Sequence, residues 1–383
     1  MPSSFSSFNS PVVPHSLVAR LRMLPWPMVL LVAVIGMIGI AFLYSAGNMS
    51  WQPWAAAQAI RFILCFAVML ALAMVSVRTY LRFAYIFYAI ILVLLVGVEI
   101  KGQIGMGAQR WLDLGIIIIQ PSELMKIALA LALARYFHGR PWKEMGRIAI
   151  LIPPLIMIAV PVGLVLLQPN FGTAMLMILG SGAIFFAAGV RWWKFTLVIA
   201  LTVAAVPITY DFVLHDYQRQ RIDTFLDPST DPRGSGYNII QSQIALGSGG
   251  VTGKGFGLGT QSQLQFLPEK HTDFIFVVMA EEMGLIGALL LLALYGVVLF
   301  YALLIAIHSK NDFGRLTATG LMATIFLYVM ANVAMVSGLI PVVGIPLPLI
   351  SYGGTAMLTL MIACGILLSI SLHRDLRIGR GGL

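Results

Sequence analysis

Charged residues are scarce in this chain. Of its 383 residues only 10% are charged, whereas 59% are hydrophobic. In soluble domains about a quarter of the residues are charged, so this composition excludes an ordinary soluble enzyme. A helix that crosses the apolar core of a bilayer needs about 20 mostly apolar residues, and the chain has room for many such helices. The composition therefore predicts an integral membrane protein with little room for a soluble domain.

Cysteines and targeting signals are equally sparse. The two cysteines, Cys65 and Cys364, lie inside apolar runs, where we expect them to pack as small hydrophobic residues and not to form a disulfide. No cleavable signal peptide is recognised, and the first apolar run is predicted to be a retained helix. The net charge of +9 comes from basic residues spread in twos and threes between apolar runs. This pattern indicates membrane topology signals and not nucleic-acid binding.

The apolar runs predict an all-α polytopic membrane protein with ten transmembrane helices in a single domain over residues 1–383. The predicted helices cover residues 25–46, 55–77, 80–100, 121–138, 147–168, 172–190, 193–211, 283–307, 316–339 and 351–372. Basic residues concentrate in alternate loops and in both tails, so by the positive-inside rule both termini are cytoplasmic. Loop 101–120 and the large loop of about 212–272, between helices seven and eight, then face outward.

The large outer loop ends in a cluster of ionisable residues beside an apolar helix. Six such residues fall within fourteen positions, and they are Glu269, Lys270, His271, Asp273, Glu281 and Glu282. Thr272 or Asp273 is suited to cap the helix that follows, but capping explains only one member of the cluster. Asp273 is therefore the leading candidate for a catalytic residue.

A glycine-rich run, GSGGVTGKGFGLG at 247–259, precedes this cluster. It does not fit a nucleotide P-loop, because Ser248 takes the first glycine position and Gly255 follows Lys254. Three interpretations stay open: a mobile linker, a backbone nest for an anion, and a site of close backbone contact.

Four residues in or beside the predicted helices are each open to two interpretations. Glu123 and Lys126, at i and i+3, form either an ion pair that orders the helices or part of a polar cavity open to the outside. Arg61 either extends its charge to the outer surface or contacts substrate. Trp111 is either an interfacial anchor or a substrate contact.

The last outward segment, 337–355, contains three prolines and no charge. This composition predicts a rigid re-entrant or surface turn, whose backbone must be buried in protein or face a cavity if it enters the membrane. Asn332, in the preceding helix, is predicted to hydrogen-bond to a neighbouring helix.

Three motifs together resemble the SEDS family of rod-shape, division and sporulation proteins, and most closely its RodA branch. They are GAQRWLDLG with QPSELMK at 107–126, LPEKHTDFIF with AEEMG at 267–284, and NVAMVSGLIPVVGIPLPLISYGGT at 332–355. The resemblance covers nearly the whole chain. It implies a ten-helix enzyme of the bacterial inner membrane that polymerises lipid II into peptidoglycan strands. It also implies a class B penicillin-binding protein and other elongation-complex proteins as partners.

The resemblance assigns residues as well. It implies that Asp273 of the HTDF motif is essential, and it maps the family tryptophan to Trp111 and the PSE-x-x-K pair to Glu123 and Lys126. The sequence departs from the family at Asn170, where an acidic residue is usual. The loss of that charge argues against a charge-dependent role at this position.

The implied reaction moves a sugar from a lipid diphosphate to a hydroxyl of another sugar. Diphosphate is a good leaving group, so one general base, Asp273, suffices for an inverting displacement. We expect the departing charge to be stabilised by basic residues near the outer surface, with His271 as a further substrate-binding candidate. The basic candidates are Lys126, Arg61, Arg110 and Lys270.

No residue cluster has the spacing of a dedicated metal site, so a divalent cation, Mg²⁺ or Mn²⁺, is expected to depend partly on substrate phosphates. Two alternatives to the enzyme stay open. One is a flippase for the same lipid-linked precursor, and the other is a non-catalytic scaffold for the cross-linking enzyme.

Overall fold

The structure is a computed structural model that describes residues 17–105, 108–113, 115, 118–141, 144–212, 216–228, 231, 234–264, 266–267 and 269–379. Parts of the two predicted outer loops, 101–120 and 212–272, therefore lie outside the described residues. The fold is almost entirely helical. Its helices are α1 (Leu17–Arg22), α2 (Trp26–Ala46), α3 (Trp54–Ala73), α4 (Val77–Lys101), α5 (Pro121–His138), α6 (Ile148–Leu167), α7 (Phe171–Ala187), α8 (Trp192–Phe212), α9 (Asp216–Leu226), α10 (Ser235–Ser248), α11 (Thr260–Gln263), α12 (Ile275–His308), α13 (Asp312–Val336) and α14 (Gly354–Leu372).

Each of the ten predicted segments overlaps one of these helices. By length and composition seven of them are able to cross a membrane, namely α2, α3, α4, α6, α12, α13 and α14. Phe171–Ala187 and Trp192–Ala205 are shorter apolar helices. The chain is thus a multi-pass membrane protein.

Helix α5 lies at the centre of the bundle and packs against α4, α6, α7, α13 and α14. Only Arg135 and Tyr136 of its eighteen residues are not buried. Because protein surrounds α5 on all sides, this helix presents no surface to lipid. Its small side chains alternate with leucine, and its charged residues Glu123 and Lys126 are enclosed by protein. Pro121 occupies the first turn, where its missing N–H costs nothing.

Three features of the predicted outer loops were not expected from the sequence, namely a small sheet, α9 and α11. Strands β1 (Gln103–Gly105), β2 (Ala108–Asp113) and β3 (Ile118–Ile119) form a small antiparallel sheet in the order β1-β2-β3. Helix α9 overlaps the charged stretch 217–233, for which the Asp-Pro dipeptides at 227–228 and 231–232 predict turns, and it ends at Leu226, before the first of them. In the stretch YNIIQSQIAL at 237–246, the spacing of Ile240 and Ile244 predicts a short helix, which is confirmed as α10.

The glycine-rich run packs closely against a kink in α12. Gly284, in that helix, has φ +67°, and the Gly255 N–H donates to the Glu282 carbonyl at 2.9 Å. A Cβ on Gly253, whose φ is +79°, would lie 2.1 Å from the same oxygen. Of the three interpretations, the structure supports close backbone contact and contradicts the mobile linker.

The segment 337–353 is irregular, and its second half, residues 345–351, lies largely inside the protein. Ile345, Leu347 and Ile350 are buried. This agrees with the requirement that non-helical backbone at membrane depth be enclosed. Both cysteines are free and buried, as predicted.

Candidate active site

The turn at 269–274, immediately before α12, is held through three consecutive backbone carbonyls. The Tyr352 N–H donates to the carbonyl of His271 at 2.8 Å, and the Ser351 hydroxyl donates to that of Thr272 at 2.6 Å. The amide of Asn332 donates to that of Asp273 at 2.8 Å. The backbone that carries the Asp273 side chain is therefore fixed by α13 and by the 337–353 segment.

Asn332 is fully buried in α13. Its amide nitrogen also donates to the Ile345 carbonyl at 2.7 Å. The expectation that it bonds to a neighbouring helix is wrong, because both acceptors belong to irregular backbone that has no helical partner for its carbonyls. One amide group thus joins the turn to the 337–353 segment.

The carboxylate of Asp273 does not cap α12. The cap position is Phe274, and no side chain bonds to the free N–H groups of the first turn. The Asp273 carboxylate instead faces Gly344, whose φ is +69° and where a Cβ would lie 3.4 Å from Oδ2. The capping explanation for Asp273 is therefore wrong, and its charge is left for another purpose.

Burial raises the pKa of Asp273 to about 6, and the like charge of Glu269 adds to this rise while Arg110 opposes it. A carboxyl with this pKa is still mostly ionised at neutral pH, yet it is a stronger base than an exposed aspartate. Glu269 lies four residues earlier in the same turn. The sequence cluster included Glu269 but did not single it out.

Arg110 brings a further part of the chain to Asp273. It lies in β2, and its guanidinium donates to the Gln168 carbonyl at 3.1 Å and to the Pro169 carbonyl. This turn joins α6 to α7, where the Asn170 side chain accepts from the Thr173 N–H at 3.3 Å and caps α7. An uncharged asparagine performs this cap as well as an aspartate does.

His271 and Arg61 lie on an aromatic cluster beside the turn. The His271 ring stacks on Trp54 with centroids 4.5 Å apart. Trp54 also makes a T-shaped contact with Tyr352, with centroids 4.9 Å apart, and the Arg61 guanidinium lies 4.5 Å from the centroid of the Tyr352 ring. Burial, together with the charge of Lys270, lowers the pKa of His271 to about 4, so this ring is neutral at physiological pH.

Glu123 and Lys126 form a buried ion pair with an Nζ–Oε1 distance of 2.6 Å. Tyr328, from α13, completes the group: its hydroxyl donates to Glu123 and accepts from Lys126. Tyr328 and Asn332 are four residues apart and so share one face of α13. That face of α13 contacts both the ion pair and the backbone of Asp273. This arrangement agrees with the interpretation of Glu123 and Lys126 as an ion pair that orders the helices.

The remaining members of the ionisable cluster hold the glycine-rich run and α11. Lys270 is buried and donates to the Ser262 carbonyl at 2.6 Å. The Glu281 carboxylate accepts from Lys254 Nζ at 2.7 Å and from the Gln261 N–H at 3.0 Å. Glu282 accepts from the Ser45 hydroxyl. Glu269 accepts from the Thr272 hydroxyl at 3.0 Å within its own turn. Among the described members of the cluster, Asp273 is therefore set apart, because its carboxylate accepts no such bond.

Trp111 lies in β2 directly after Arg110 and is partly buried. It pairs in register with Gln103 of β1. In the described part of the chain, no three His, Cys, Asp or Glu side chains form a group able to hold a metal ion. Tyr328, Trp54 and Tyr352 were missed from the sequence, because aromatic residues in apolar helices and loops carry no periodic signal.

Comparison with known proteins gives consistent results. The sequence profile of the FTSW_RODA_SPOVE family, described as cell cycle protein, matches residues 22–376. The peptidoglycan glycosyltransferase MrdB of Escherichia coli (strain K12) is 48% identical over 312 residues, which are 81% of this chain and 83% of that protein. A probable peptidoglycan glycosyltransferase FtsW of Synechocystis is 39% identical over 72% of this chain and 67% of its own length.

Solved structures agree in fold. A chain from a peptidoglycan synthase complex, in work on the structural coordination of polymerization and crosslinking, superposes with a TM-score of 0.80 at 31% identity, covering 92% of this chain and 98% of that one. The rod shape determining protein RodA of Thermus thermophilus gives a TM-score of 0.70 at 28% identity, covering 94% and 99%. The chain therefore belongs to the FtsW/RodA/SpoVE family.

Proposed function

We propose that this chain is a peptidoglycan glycosyltransferase that polymerises lipid II into glycan strands during cell elongation, with Asp273 as its general base. The reaction class is supported by 48% identity to the E. coli glycosyltransferase MrdB. The observation that carries the proposal is the Asp273 carboxylate. It is held on a fixed backbone, caps no helix, and has a pKa raised to about 6.

In the proposed reaction, a hydroxyl oxygen of the acceptor sugar forms a bond to the anomeric carbon of the donor. The bond from that carbon to the diphosphate oxygen breaks, and its electron pair leaves with the polyprenyl diphosphate. Asp273 takes the hydroxyl proton. Because attack and departure occur on opposite faces of the sugar, the anomeric configuration inverts. A positioned base of this kind contributes about 10²–10⁴-fold to the rate.

Arg110 is the proposed main contact for the departing diphosphate, because its charge already acts on Asp273. A fixed guanidinium near developing negative charge stabilises the transition state. Arg61 and Trp111 remain proposed substrate contacts. Glu123 and Lys126 neutralise one another, and Lys270 is buried and donates to both the Ser262 carbonyl and the Asn48 side chain, whereas Arg110 is only partly buried. The first three are therefore proposed to act by positioning and not by direct contact.

A divalent cation fits this site. Asp273 and Glu269 are two neighbouring carboxyls of like charge, and Mg²⁺ is commonly held by one or two carboxylates together with substrate phosphates. When bound, Mg²⁺ or Mn²⁺ would supply Lewis-acid stabilisation of the diphosphate. Glu269 would hold it together with the substrate phosphates, which leaves Asp273 to act as the base.

The proposal includes a topology and a partner. Ten helices cross the bacterial inner membrane, both termini are cytoplasmic, and the Asp273 site faces outward. This agrees with the basic residues in alternate loops. A class B penicillin-binding protein, with other elongation-complex proteins, is the proposed partner. A similar chain forms part of a peptidoglycan synthase complex.

A polymerisation assay tests the function. The purified protein and its class B partner are given labelled lipid II in detergent, and glycan polymer is measured on a gel. We expect the Asp273→Asn variant to lose at least about 100-fold in rate. The matched control Glu99→Gln removes an exposed carboxylate from the end of α4 and should retain full activity.

The outcomes separate the alternatives. Detergent abolishes vectorial transport, so polymer made there cannot come from a flippase. A wild-type protein that binds its partner but makes no polymer would support the flippase or the scaffold. If the Asp273→Asn variant polymerises normally, Asp273 is not the base.

A further inference from the structure

A second charged site lies where α4 begins, close to the end of α5. A cavity of about 760 Å³ is lined there by Arg78, Arg82, Arg135 and Arg377. Arg78 and Arg82 are four residues apart on α4, so they share one face of the helix. Arg377 comes from the tail that follows α14. Three separate parts of the chain therefore direct positive charge at one cavity, far along the helices from Asp273.

The arginines have no acidic counterpart in the cavity. None of its described lining residues is Asp or Glu. Asp375, two residues before Arg377 in the tail, is paired with Lys310 and lies 3.7 Å from the Arg374 guanidinium. Like charges this close repel each other, so the arrangement favours an anion bound between them. The start of α4 adds the positive end of a 25-residue helix.

One of the four arginines is already fixed in position. Arg135 donates to the Arg82 carbonyl at 2.8 Å, and its guanidinium lies 4.4 Å from the centroid of the Tyr85 ring. A guanidinium held in this way retains N–H donors for an anion at little entropic cost, and its planar fork matches phosphate oxygens. The site is thus partly preorganised for a phosphate group.

The cavity continues into an apolar stripe on α4. Phe83 and Ile86 line it and are 48% and 54% exposed, and Ile90 and Val93 continue the same helix face at 53% and 70% exposed. These side chains lie on a membrane-spanning helix, so they face lipid tails. A soluble phosphate would use only the arginines, whereas a lipid would use both the arginines and the stripe.

We propose that this cavity binds an anionic phospholipid, with its phosphate between the arginines and an acyl chain along the stripe from Phe83 to Val93. Under the proposed topology the lipid belongs to the cytoplasmic leaflet, where basic pockets between helices recognise anionic headgroups. The bound lipid joins α4, α5 and the C-terminal tail. This assignment concerns a site separate from the glycosyltransferase reaction.

The test counts bound lipids by native mass spectrometry of the full-length protein, titrated with phosphatidylglycerol or phosphatidylcholine. We expect the Arg78→Gln/Arg82→Gln double variant to bind phosphatidylglycerol about tenfold or more weakly than wild type. The matched control, Arg147→Gln/Arg191→Gln, removes two exposed basic residues outside the cavity and should change affinity less than about twofold.

Two further arms identify the ligand. Inorganic phosphate at millimolar concentration should not displace the lipid, and Ile86→Asn should weaken phosphatidylglycerol binding. Full displacement by inorganic phosphate, equal binding of phosphatidylcholine, or equal losses in both double variants would overturn the proposal. If the Arg78→Gln/Arg82→Gln protein no longer elutes from a size-exclusion column at the wild-type volume, the single variant Arg377→Gln, in the exposed tail, replaces it in the same lipid-binding measurement.

Discussion

The pH dependence of polymerisation offers the sharpest test of the role of Asp273. With a pKa of about 6, this carboxyl is about 90% ionised at pH 7 and about 10% ionised at pH 5. A reaction that needs the ionised base should therefore slow about tenfold between these pH values. An aspartate with an ordinary pKa of about 3.9 would lose less than a tenth of its activity over the same range.

The charges of Glu269 and Arg110 act on Asp273, and removing each of them should shift the pH profile in a predictable direction. The Glu269→Gln variant removes a like charge, so the pKa of Asp273 should fall and the acid limb of the profile should move to lower pH. The Arg110→Gln variant removes an opposite charge, so that limb should move to higher pH. His271 does not account for a limb near pH 6, because its own pKa is lowered to about 4.

The measurement is kcat/KM for lipid II from pH 5 to pH 8.5, because this ratio reports groups of the free enzyme. The Glu99→Gln control should leave the limb in place, and thermal unfolding at each pH separates titration from loss of fold. The position of the limb is compared between variants, since Arg110→Gln is also expected to lower the rate. A limb near pH 4 in wild type, or one that neither variant moves, would refute the assignment.

Three further predictions concern the stability of the fold. Lys126→Met should lower the free energy of unfolding by about 3–5 kcal/mol, because it leaves Glu123 charged and buried; thermal unfolding in detergent should show a large loss that adding Glu123→Gln to the same protein largely reverses. Gly253→Ala should destabilise by about 1–3 kcal/mol, since its φ is +79° and the new Cβ would meet a carbonyl of α12, whereas Gly247→Ala has open space and should unfold near the wild-type temperature. At pH values above 6, the Asp273→Asn variant should unfold at a higher temperature than the wild-type protein. A carboxyl whose pKa is higher in the folded protein destabilises the fold progressively as pH rises towards 6. A gain in unfolding temperature that is equally large at pH 4 would contradict this account.

Local patterns in the sequence were sufficient for the helices formed by apolar runs, but not for α9 or α11. Apolar runs of spanning length coincide with helices because the length and hydrophobicity of a segment are properties of that segment alone. Pro121 marked the start of α5 for a similarly local reason. The small sheet formed by β1, β2 and β3 was missed, since its strands are short and part of a loop without alternating polarity.

The sequence predicted only part of the candidate site. The HTDF motif and its cluster of charges pointed to Asp273, but no local pattern distinguishes a catalytic carboxylate from one that holds a loop. Glu281 and Glu282 carry the same charge as Asp273 and lie within nine residues of it, yet the structure places them against Lys254 and Ser45.

The sequence by itself determined a multi-pass helical protein, its family, and the motif that contains Asp273. Tertiary structure alone decided which charged residues support the fold. Tyr328 lies 205 residues from Glu123 along the chain, and Asn332 lies 59 residues from Asp273. Contacts of this kind depend on how helices pack and not on the residues that flank each partner. For the same reason, only the packed structure brings the arginines of α4, α5 and the tail to one cavity.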